Sequence, residues 1–439
     1  MNSLIAMIVT TIFYVTTGWY LTYLFPISHK IERLGLSFLV GVGLSTFLWF
    51  VGYLLGLPFN LYTLALVGGI EISVGYYFTR KARLIPTEPI KLTSNKISLI
   101  MIILIVSILL ISFLIGSHNA LTAWDSIALY DFRGHTIAIN HDLRDITSSS
   151  YYVSYPLMVS LIHATVYMLN GLSAQGIHSV ILMAFTAIIY GRMRDWTNHT
   201  LALSTCLLVI TQNQIFYHST FAYTNLPYLA FLVSGILYVV SAKINKYYFL
   251  PLAGLMIGLS TWVRSTETFW VIGLILILWQ GWNTKHKLLA IFSALMVIAL
   301  RMTWISYFNH ILVSINYSYD ETIRSFGFKN IQRIITNWRE IYWYMRLNVF
   351  SPYSGIWFLL VPISLTWIVK RNTKLLLLFS SIVLSASMLI VGIAVFSTFY
   401  NTWNEIGDSA RRMILFINPL SLITTMYAVY LISQKDKHE

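Results

Sequence analysis

The sequence has few charged and almost no sulfhydryl side chains for its length. Only 10% of its 439 residues are charged, 16 of them are acidic, and Cys206 is the one cysteine. A lone cysteine excludes an intrachain disulfide and a cysteine-based metal site. The sequence also lacks a glycine-rich phosphate loop, an internal repeat and a low-complexity tract, so it shows no sign of a nucleotide-binding domain or a repeat protein.

Apolar side chains are what the sequence has in abundance. They make up 57% of the residues, and the mean hydropathy is +0.70, which leaves too little polar surface to cover a soluble globule. Apolar runs long enough to cross roughly 30 Å of hydrocarbon as helices lie near 3–25, 34–57, 60–79, 97–116, 151–169, 173–190, 200–216, 222–242, 249–263, 268–282, 288–306, 350–369, 375–399 and 413–433. The composition therefore predicts an all-α, polytopic membrane protein with about 13 transmembrane helices, forming a single membrane domain over 1–439 that ends in C-terminal spans at 350–433.

The excess of 13 positive charges would suggest nucleic acid as a partner of a soluble domain, but the basic residues are grouped in short loops and at the tail. These residues are Lys30, Arg33, Arg80, Lys81, Arg83, Lys91, Lys96, Lys370, Arg371, Lys374, Lys435 and Lys437. The positive-inside rule places such loops in the cytoplasm. We therefore expect a multi-pass protein of the cell membrane that binds no nucleic acid, with the N-terminus, 117–150, 307–349 and 400–411 on the extracytoplasmic face.

In the middle of the chain, this assignment of inner and outer loops needs one exception. An even number of crossings must join residue 150 to residue 307, yet seven apolar segments lie between them. Either 151–169 is tucked in or re-entrant, or one short loop violates the charge rule. The sequence leaves both alternatives open.

The polar loop from Ser117 to Ser150 carries four of the 16 acidic residues. If 124–137 is helical, Asp131 and His135 share a face, and Asp125 lies about 120° around the helix from Asp131. Two carboxylates of adjacent faces could then converge on one substrate. The alternative is a solvated loop whose charges have no function, which the aromatic setting of this first large outer loop disfavours, since it suits juxtamembrane helices.

Two further groups of ionisable residues lie at span boundaries, where they cost free energy unless they meet a partner or a cavity. Arg264 and Glu267 are three residues apart and either pair on one helix face or leave Arg264 to meet an anion. Arg411 and Arg412 precede the last span on the outer side. Adjacent arginines there favour recognition of a phosphate or carboxylate, and the alternative is an ion pair with a nearby carboxylate at 405 or 408.

Two weaker patterns complete the analysis. Asn225 and the other amides and hydroxyls of 212–227 suit a polar cavity wall, although they could equally cap helix ends where Pro227 begins a helix. The loop 307–349 interleaves basic and aromatic side chains, which is typical of an amphipathic segment lying on the outer leaflet.

Five short motifs occur in an order that resembles the GT-C superfamily, the multi-span glycosyltransferases that include protein O-mannosyltransferases and the aminoarabinose transferases of lipid A. The motifs are Trp124-Asp125, Tyr155-Pro156-Leu157 with Leu169-Asn170-Gly171, Ala222-Tyr223-Thr224-Asn225-Leu226-Pro227, the Gly-Leu-rich run from Gly254 to Glu267, and Arg412-Met413-Ile414-Leu415 to Pro419. The resemblance covers a module at 97–306 and the segment 400–433. Asn225 stands where the family has an acid, no paired acid follows Asp125, and three apolar segments precede the loop where many members have one.

The resemblance implies transfer of a sugar from a polyprenyl-phosphate carrier to a hydroxyl of a lipid, glycan or protein acceptor on the outer face, with inversion at the anomeric carbon. Asp125 would act as general base with Asp131 as its partner. Arg412 and Arg264, followed by Arg411 and Arg133, would stabilise the leaving phosphate. Further candidates for substrate contact are His135, Tyr155, Asn225 and Glu267.

No cofactor is expected for this chemistry. Asp125, Asp131 and His135 offer oxygen and nitrogen ligands to a divalent metal, but they lack coordination spacing, so we assign no metal site and metal dependence stays open.

Two rival functions remain. An O-antigen polymerase or ligase would need the arginines of 307–349 and not Asp125. A transporter of lipid-linked or polar substrates would have broken helices and charges near the membrane midplane.

Overall fold

A computed structural model gives the protein an all-helical fold. It describes residues 3–81, 95–144, 146, 155–243, 246–265, 268–311, 328–348, 372–396 and 412–435. The α-helices of these ranges, in chain order, are α1 Ser3–Thr22, α2 Lys30–Leu54, α3 Leu61–Lys81, α4 Lys96–His118, α5 Phe132–Asn140, α6 Met158–Met168, α7 Ile177–Trp196, α8 His199–Ile210, α9 Asn213–Ser219, α10 Asn225–Ser241, α11 Phe249–Val263, α12 Trp270–Asn283, α13 Lys287–Ile311, α14 Phe328–Thr336, α15 Trp338–Asn348, α16 Thr373–Phe396 and α17 Asn418–Lys435. A π-helix, Ser126–Asp131, precedes α5, and a 3₁₀ turn, Ile414–Phe416, precedes α17.

Seven helical segments in these ranges are long and apolar enough to cross a membrane. They are α1, α2, α3, α4, α13, α16 and the segment Ile414–Gln434. Five shorter apolar helices, α6, α8, α10, α11 and α12, have 10 to 17 residues. The all-α, multi-pass membrane architecture is thus confirmed, while the number of about 13 crossings stays a prediction, because the shorter helices do not establish a crossing by length and the predicted span 350–369 lies outside the described residues.

Helix α6 has 11 residues, about 16 Å at 1.5 Å per residue, and all but its last residue are buried. A regular helix of that length does not cross the hydrocarbon layer. This agrees with the interpretation of 151–169 as a tucked-in segment.

Burial divides the helices into an inner and an outer group. All 17 residues of α10 are buried, as expected for a helix that is apolar on every side and lies at the centre of a bundle. Helix α4 is equally apolar but exposes Ile97, Ile100, Ile103 and Leu110 by about half or more of their surface. In a membrane these exposed side chains contact lipid, so hydropathy alone does not separate the two groups.

Helices α1 and α2 approach each other closely through glycine. A Cβ on Gly41 would lie 1.8 Å from the carbonyl oxygen of Tyr14, and one on Gly18 would lie 2.0 Å from that of Ser37. Small residues at such crossings allow the backbones to touch, which is how many helices associate in membranes. The first two helices therefore form a tight hairpin.

Helices α2, α7 and α10 are joined by a buried ion pair. The guanidinium of Arg192 donates two hydrogen bonds to Glu32, 2.6 Å from Nε to Oε1 and 2.5 Å from Nη2 to Oε2. Tyr238 donates a third to the same carboxylate at 3.1 Å, and Oδ2 of Asp195 lies 3.2 Å from Nη2 of Arg192. Removal of one partner leaves the other charge buried and unpaired.

Helices α14 and α15 occupy part of the loop 307–349. Large apolar side chains on them are exposed, among them Ile335, Trp338, Trp343 and Leu347, next to several basic residues. This agrees with the predicted amphipathic character, while contact with the outer leaflet stays a prediction.

We expect Gly41→Ala to lower the free energy of unfolding by about 1–3 kcal/mol, because the new methyl group would overlap the α1 backbone. Gly69→Ala is the matched control, since nothing lies within 4 Å of a Cβ at this α3 position. There alanine adds helix propensity of up to about 1 kcal/mol. Thermal unfolding of the purified protein in detergent measures both, and equal stability of the two variants would contradict the close crossing.

We expect Arg192→Met to cost about 3–5 kcal/mol of stability, because it leaves the Glu32 carboxylate buried without its cation. The double variant Glu32→Gln/Arg192→Met removes both charges and should be more stable than Arg192→Met alone. Thermal unfolding in detergent compares the variants. A double variant that loses as much stability as Glu32→Gln and Arg192→Met lose together would contradict the buried ion pair.

Candidate functional site

The polar loop becomes helical at Trp124, and its helix is not regular. Residues 124 and 125 begin it, the π-helix Ser126–Asp131 follows, and α5 continues to Asn140. Because a π-turn is wider than an α-turn, the angle of about 120° expected between Asp125 and Asp131 does not apply. The predicted helix is present, and the two carboxylates have different partners.

Asp125 pairs with Arg412, which lies two residues before the 3₁₀ turn that precedes the last helix. Nη1 of Arg412 lies 3.0 Å from Oδ2 of Asp125, and the ring of Tyr223 lies beneath the guanidinium, 5.8 Å from the centroid. The Asp125 side chain is 31% exposed and the Arg412 side chain is 23% exposed. The proposed base and the proposed phosphate ligand, 287 positions apart in sequence, therefore meet in one accessible place.

Arg264 lies at the end of α11 and is buried. Its Nη1 donates to Oδ1 of Asn225, and its Nη2 lies 3.3 Å from the hydroxyl oxygen of Tyr155. The Tyr155 ring also contacts the guanidinium, 5.2 Å from the centroid. Three residues predicted from separate motifs are thus in direct contact.

Arg133 is completely buried on α5. Its Nη1 donates to the carbonyl oxygen of Tyr155 at 3.1 Å. Burial lowers the pKa of Arg133 to about 10, because a charged group loses hydration there. Arg133 therefore holds the backbone of Tyr155 in place, and the side chain of Tyr155 in turn contacts Arg264.

Tyr130 and Thr224 connect the π-helix with the start of α10. Their hydroxyl oxygens are 2.9 Å apart. Burial raises the pKa of Tyr130, Arg264 lowers it, and the charge of Asp125 raises it. The pKa of Tyr130 is raised overall, so the hydroxyl stays protonated and joins the polar loop to α10.

His218 on α9 is a residue to which sequence analysis assigned no role. It is 1% exposed, its Nδ1 has no hydrogen-bond partner, and its ring contacts Tyr223 at 5.5 Å between centroids. Burial, then Arg412, then Arg264 lower the pKa of His218 to about 3. A neutral imidazole thus lies close to both arginines, and the only signal in the sequence was its place in the polar stretch 212–227.

Asp131 is the centre of a separate cluster. Its carboxylate accepts a hydrogen bond from Tyr167, lies 3.7 Å from Nε2 of His135 and lies 3.3 Å from Nδ1 of His163. The His163 contact is close but poorly aligned for a hydrogen bond. Burial raises the pKa of Asp131, but these three neighbours outweigh it and hold the pKa below its usual range.

The predicted contact between Asp131 and His135 is confirmed, since they are four residues apart and meet across one turn. His135 also stacks on Tyr167, 3.7 Å between ring centroids. In the same cluster, Nε2 of His163 lies 3.4 Å from Nε2 of His178. No described contact joins this cluster to the pair of Asp125 and Arg412.

The remaining candidates lie outside the described residues. Glu267 and Arg411 are these candidates. The ion pair of Arg264 with Glu267, and the ion pair of the adjacent arginines 411 and 412 with a carboxylate at 405 or 408, therefore stay predictions. Among the residues that the structure does describe, no three His, Cys, Asp or Glu side chains are grouped to hold a metal ion.

Comparison of the chain with protein-family models, curated proteins and solved structures finds no match. The functional argument therefore depends on the residues and their geometry.

His218 should make the stability of the protein depend on pH. Its pKa in the folded protein is about 3 and in the unfolded chain about 6.5, so between these values the unfolded chain binds more protons. The stability contributed by the neutral ring is complete above pH 6.5 and is lost as the pH falls towards 3.

We expect His218→Gln to lose less stability than the wild type when the pH falls from 7.5 to 4.5. Apparent melting temperatures in detergent at both pH values measure the difference. His118→Gln is the control, because His118 is exposed and should leave the pH dependence unchanged. Equal pH dependence of His218→Gln and the wild type would contradict a buried neutral ring.

Proposed function

We propose that the protein is an integral-membrane glycosyltransferase that moves a sugar from a polyprenyl-phosphate carrier to an acceptor hydroxyl. The observation that supports this proposal most is the contact of Asp125 with Arg412, with Arg264 at the same end of the bundle, since Asn225 contacts Arg264 and Tyr223, two residues earlier, contacts Arg412. One carboxylate and two guanidiniums are the groups that such a displacement needs. The family resemblance of the motifs, including those of these three residues, supports the same function.

The reaction exchanges one bond at the anomeric carbon for another. The acceptor oxygen attacks that carbon, the bond to the phosphate oxygen breaks, and the sugar inverts. Asp125 takes the proton of the acceptor hydroxyl, which typically contributes about 10²–10⁴-fold to the rate. Its carboxylate is partly exposed, so an acceptor can reach it.

The leaving polyprenyl phosphate gains negative charge as the bond breaks. Arg412 and Arg264 are held in place by aromatic and amide neighbours, and fixed cations in a partly dry site stabilise such charge better than water does. His218 stays neutral and contributes no charge of its own. The two arginines therefore supply the charge stabilisation in this mechanism.

Donor binding and base activation are coupled through Arg412. A partly exposed ion pair is worth about 0–1 kcal/mol, so the phosphodiester monoanion of the donor can replace Asp125 at the guanidinium at little cost. The exchange releases the carboxylate for the acceptor hydroxyl. In this proposal Asp125 becomes a free base only when the donor has bound.

The two ends of the bundle support the proposed orientation. Arg264 and Asn225 are at one end, and Arg192 with Glu32 is at the other, because α10 and α11 run between them. Basic residues of short connections, such as Lys243 and Lys285, belong to the second end. The positive-inside rule assigns such an end to the cytoplasm, which leaves the proposed site on the extracytoplasmic face of a cell membrane.

A transporter is the second candidate, favoured by one observation. Glu71, in the middle of α3, is 3% exposed and accepts a hydrogen bond from Ser45 at 2.6 Å. A carboxyl buried within a span and bonded to hydroxyl groups is typical of ion or proton pathways. The assay must therefore separate transfer from transport.

We expect Asp125→Asn to reduce sugar transfer about 10²–10⁴-fold and to bind the donor as tightly as the wild type or more tightly, because the amide no longer competes for Arg412. Transfer from a radiolabelled polyprenyl-phosphate sugar to membrane acceptors by the protein in proteoliposomes measures the first. Retention of the donor by purified protein measures the second. Undiminished transfer by Asp125→Asn would overturn the assignment of the base.

Asp142→Asn is the matched control, since Asp142 lies in the same loop and pairs with the exposed Arg144 at 2.5 Å. It should transfer normally.

Arg339→Gln tests the polymerase or ligase alternative, which requires the arginines of 307–349. Uptake of labelled substrate without transfer would favour the transporter, and a parallel reaction with EDTA tests metal dependence.

A further inference from the structure

A cavity of about 540 Å³ lies at the end of the bundle opposite Arg264. It lies where the segment before α11 meets the connection between α12 and α13. Its lining consists of Tyr247, Lys285, His286, Lys287, Leu288, Leu289 and Phe292. None of the residues from the proposed glycosyltransferase site takes part in it.

One side of the cavity is basic. Lys285 and Lys287 are exposed, and His286 lies between them with its ring 4.3 Å from that of Tyr247. Lys285 follows the end of α12 in a left-handed conformation, at φ 62°, which turns the chain sharply there. The ammonium of Lys287 lies 4.7 Å from the centre of the Trp282 ring.

None of the residues between 243 and 292 that the structure describes is acidic. Glu267 is the one acidic residue of this stretch of sequence, and it lies outside the described residues. Two lysines beside one cavity, with no acidic side chain in the described part of the segments that line it, favour an anion as its occupant.

The other side of the cavity is apolar and faces away from the protein core. Leu288 is 85% exposed and Phe292 is 58% exposed, both on the first turns of the membrane-spanning helix α13. In a bilayer this surface contacts acyl chains. Trp282, also exposed, and Tyr247 are of the type that lies at the level of lipid headgroups.

We propose that this cavity binds the headgroup of an anionic phospholipid. Lys285 and Lys287 hold the phosphate, and Leu288 and Phe292 contact the first part of its acyl chains. The apolar side is the reason to choose a lipid over free phosphate, since an inorganic ion would use only the basic side. The lipid would attach the end of α12 and the start of α13 to one leaflet.

The test compares binding of phosphatidylglycerol and phosphatidylcholine to the purified, delipidated full-length protein by native mass spectrometry. We expect phosphatidylglycerol to bind more tightly. Each lysine near an anionic lipid contributes about fivefold, so Lys285→Asn/Lys287→Gln should weaken phosphatidylglycerol binding by about 25-fold. Asparagine at 285 tolerates the left-handed backbone, so the fold should be preserved.

Lys243→Gln/Lys246→Gln is the matched control, because it removes two exposed lysines of the same end that do not line the cavity. It should bind phosphatidylglycerol like the wild type, and equal weakening in both double variants would overturn the proposal in favour of an unspecific charge effect. Equal affinity of the wild type for the two lipids would overturn it as well. Millimolar inorganic phosphate should not displace the lipid, and displacement would mean that the cavity takes the free ion.

Discussion

The ion pair between Asp125 and Arg412 is the contact on which the proposed site depends. It joins the start of the polar loop to a residue shortly before the last helix, across 287 positions of sequence, at the end of the bundle where α11 also ends. Because the pair is partly exposed, its stability is small. In the proposed function it can therefore give way to the phosphate of the donor.

The low dielectric of the surroundings explains how the two ends of the bundle differ. At the end opposite the proposed site, the pair of Glu32 with Arg192 is completely buried and its hydrogen bonds are shared with Tyr238, so it is costly to break and serves to connect helices. At the site, Arg133 is also buried, and it donates a hydrogen bond to the carbonyl oxygen of Tyr155. Arg412 and Asp125 keep contact with solvent, which is what a binding site for a charged ligand requires.

Local spacing predicted some contacts of the site and failed for others. Asp131 and His135 could be paired from sequence because a distance of four residues is fixed by any helical turn. The π-helix could not be predicted, and it changes the angle between Asp125 and Asp131. His163, Tyr167 and His218 carried no signal beyond an apolar or weakly polar neighbourhood, because their partners come from distant parts of the chain.

The sequence by itself determined that the protein is helical and crosses a membrane several times, since composition and the length of apolar runs depend on no long-range contact. It also identified Asp125, Arg264 and Arg412 as candidates, because charged residues are rare in such a chain and each is costly there. Only the tertiary structure decided which of them meet, that Arg133 is buried beneath Tyr155, and that Asp131 belongs to a separate cluster. Those outcomes depend on how helices far apart in sequence pack, and packing is decided by shape and burial across the whole bundle.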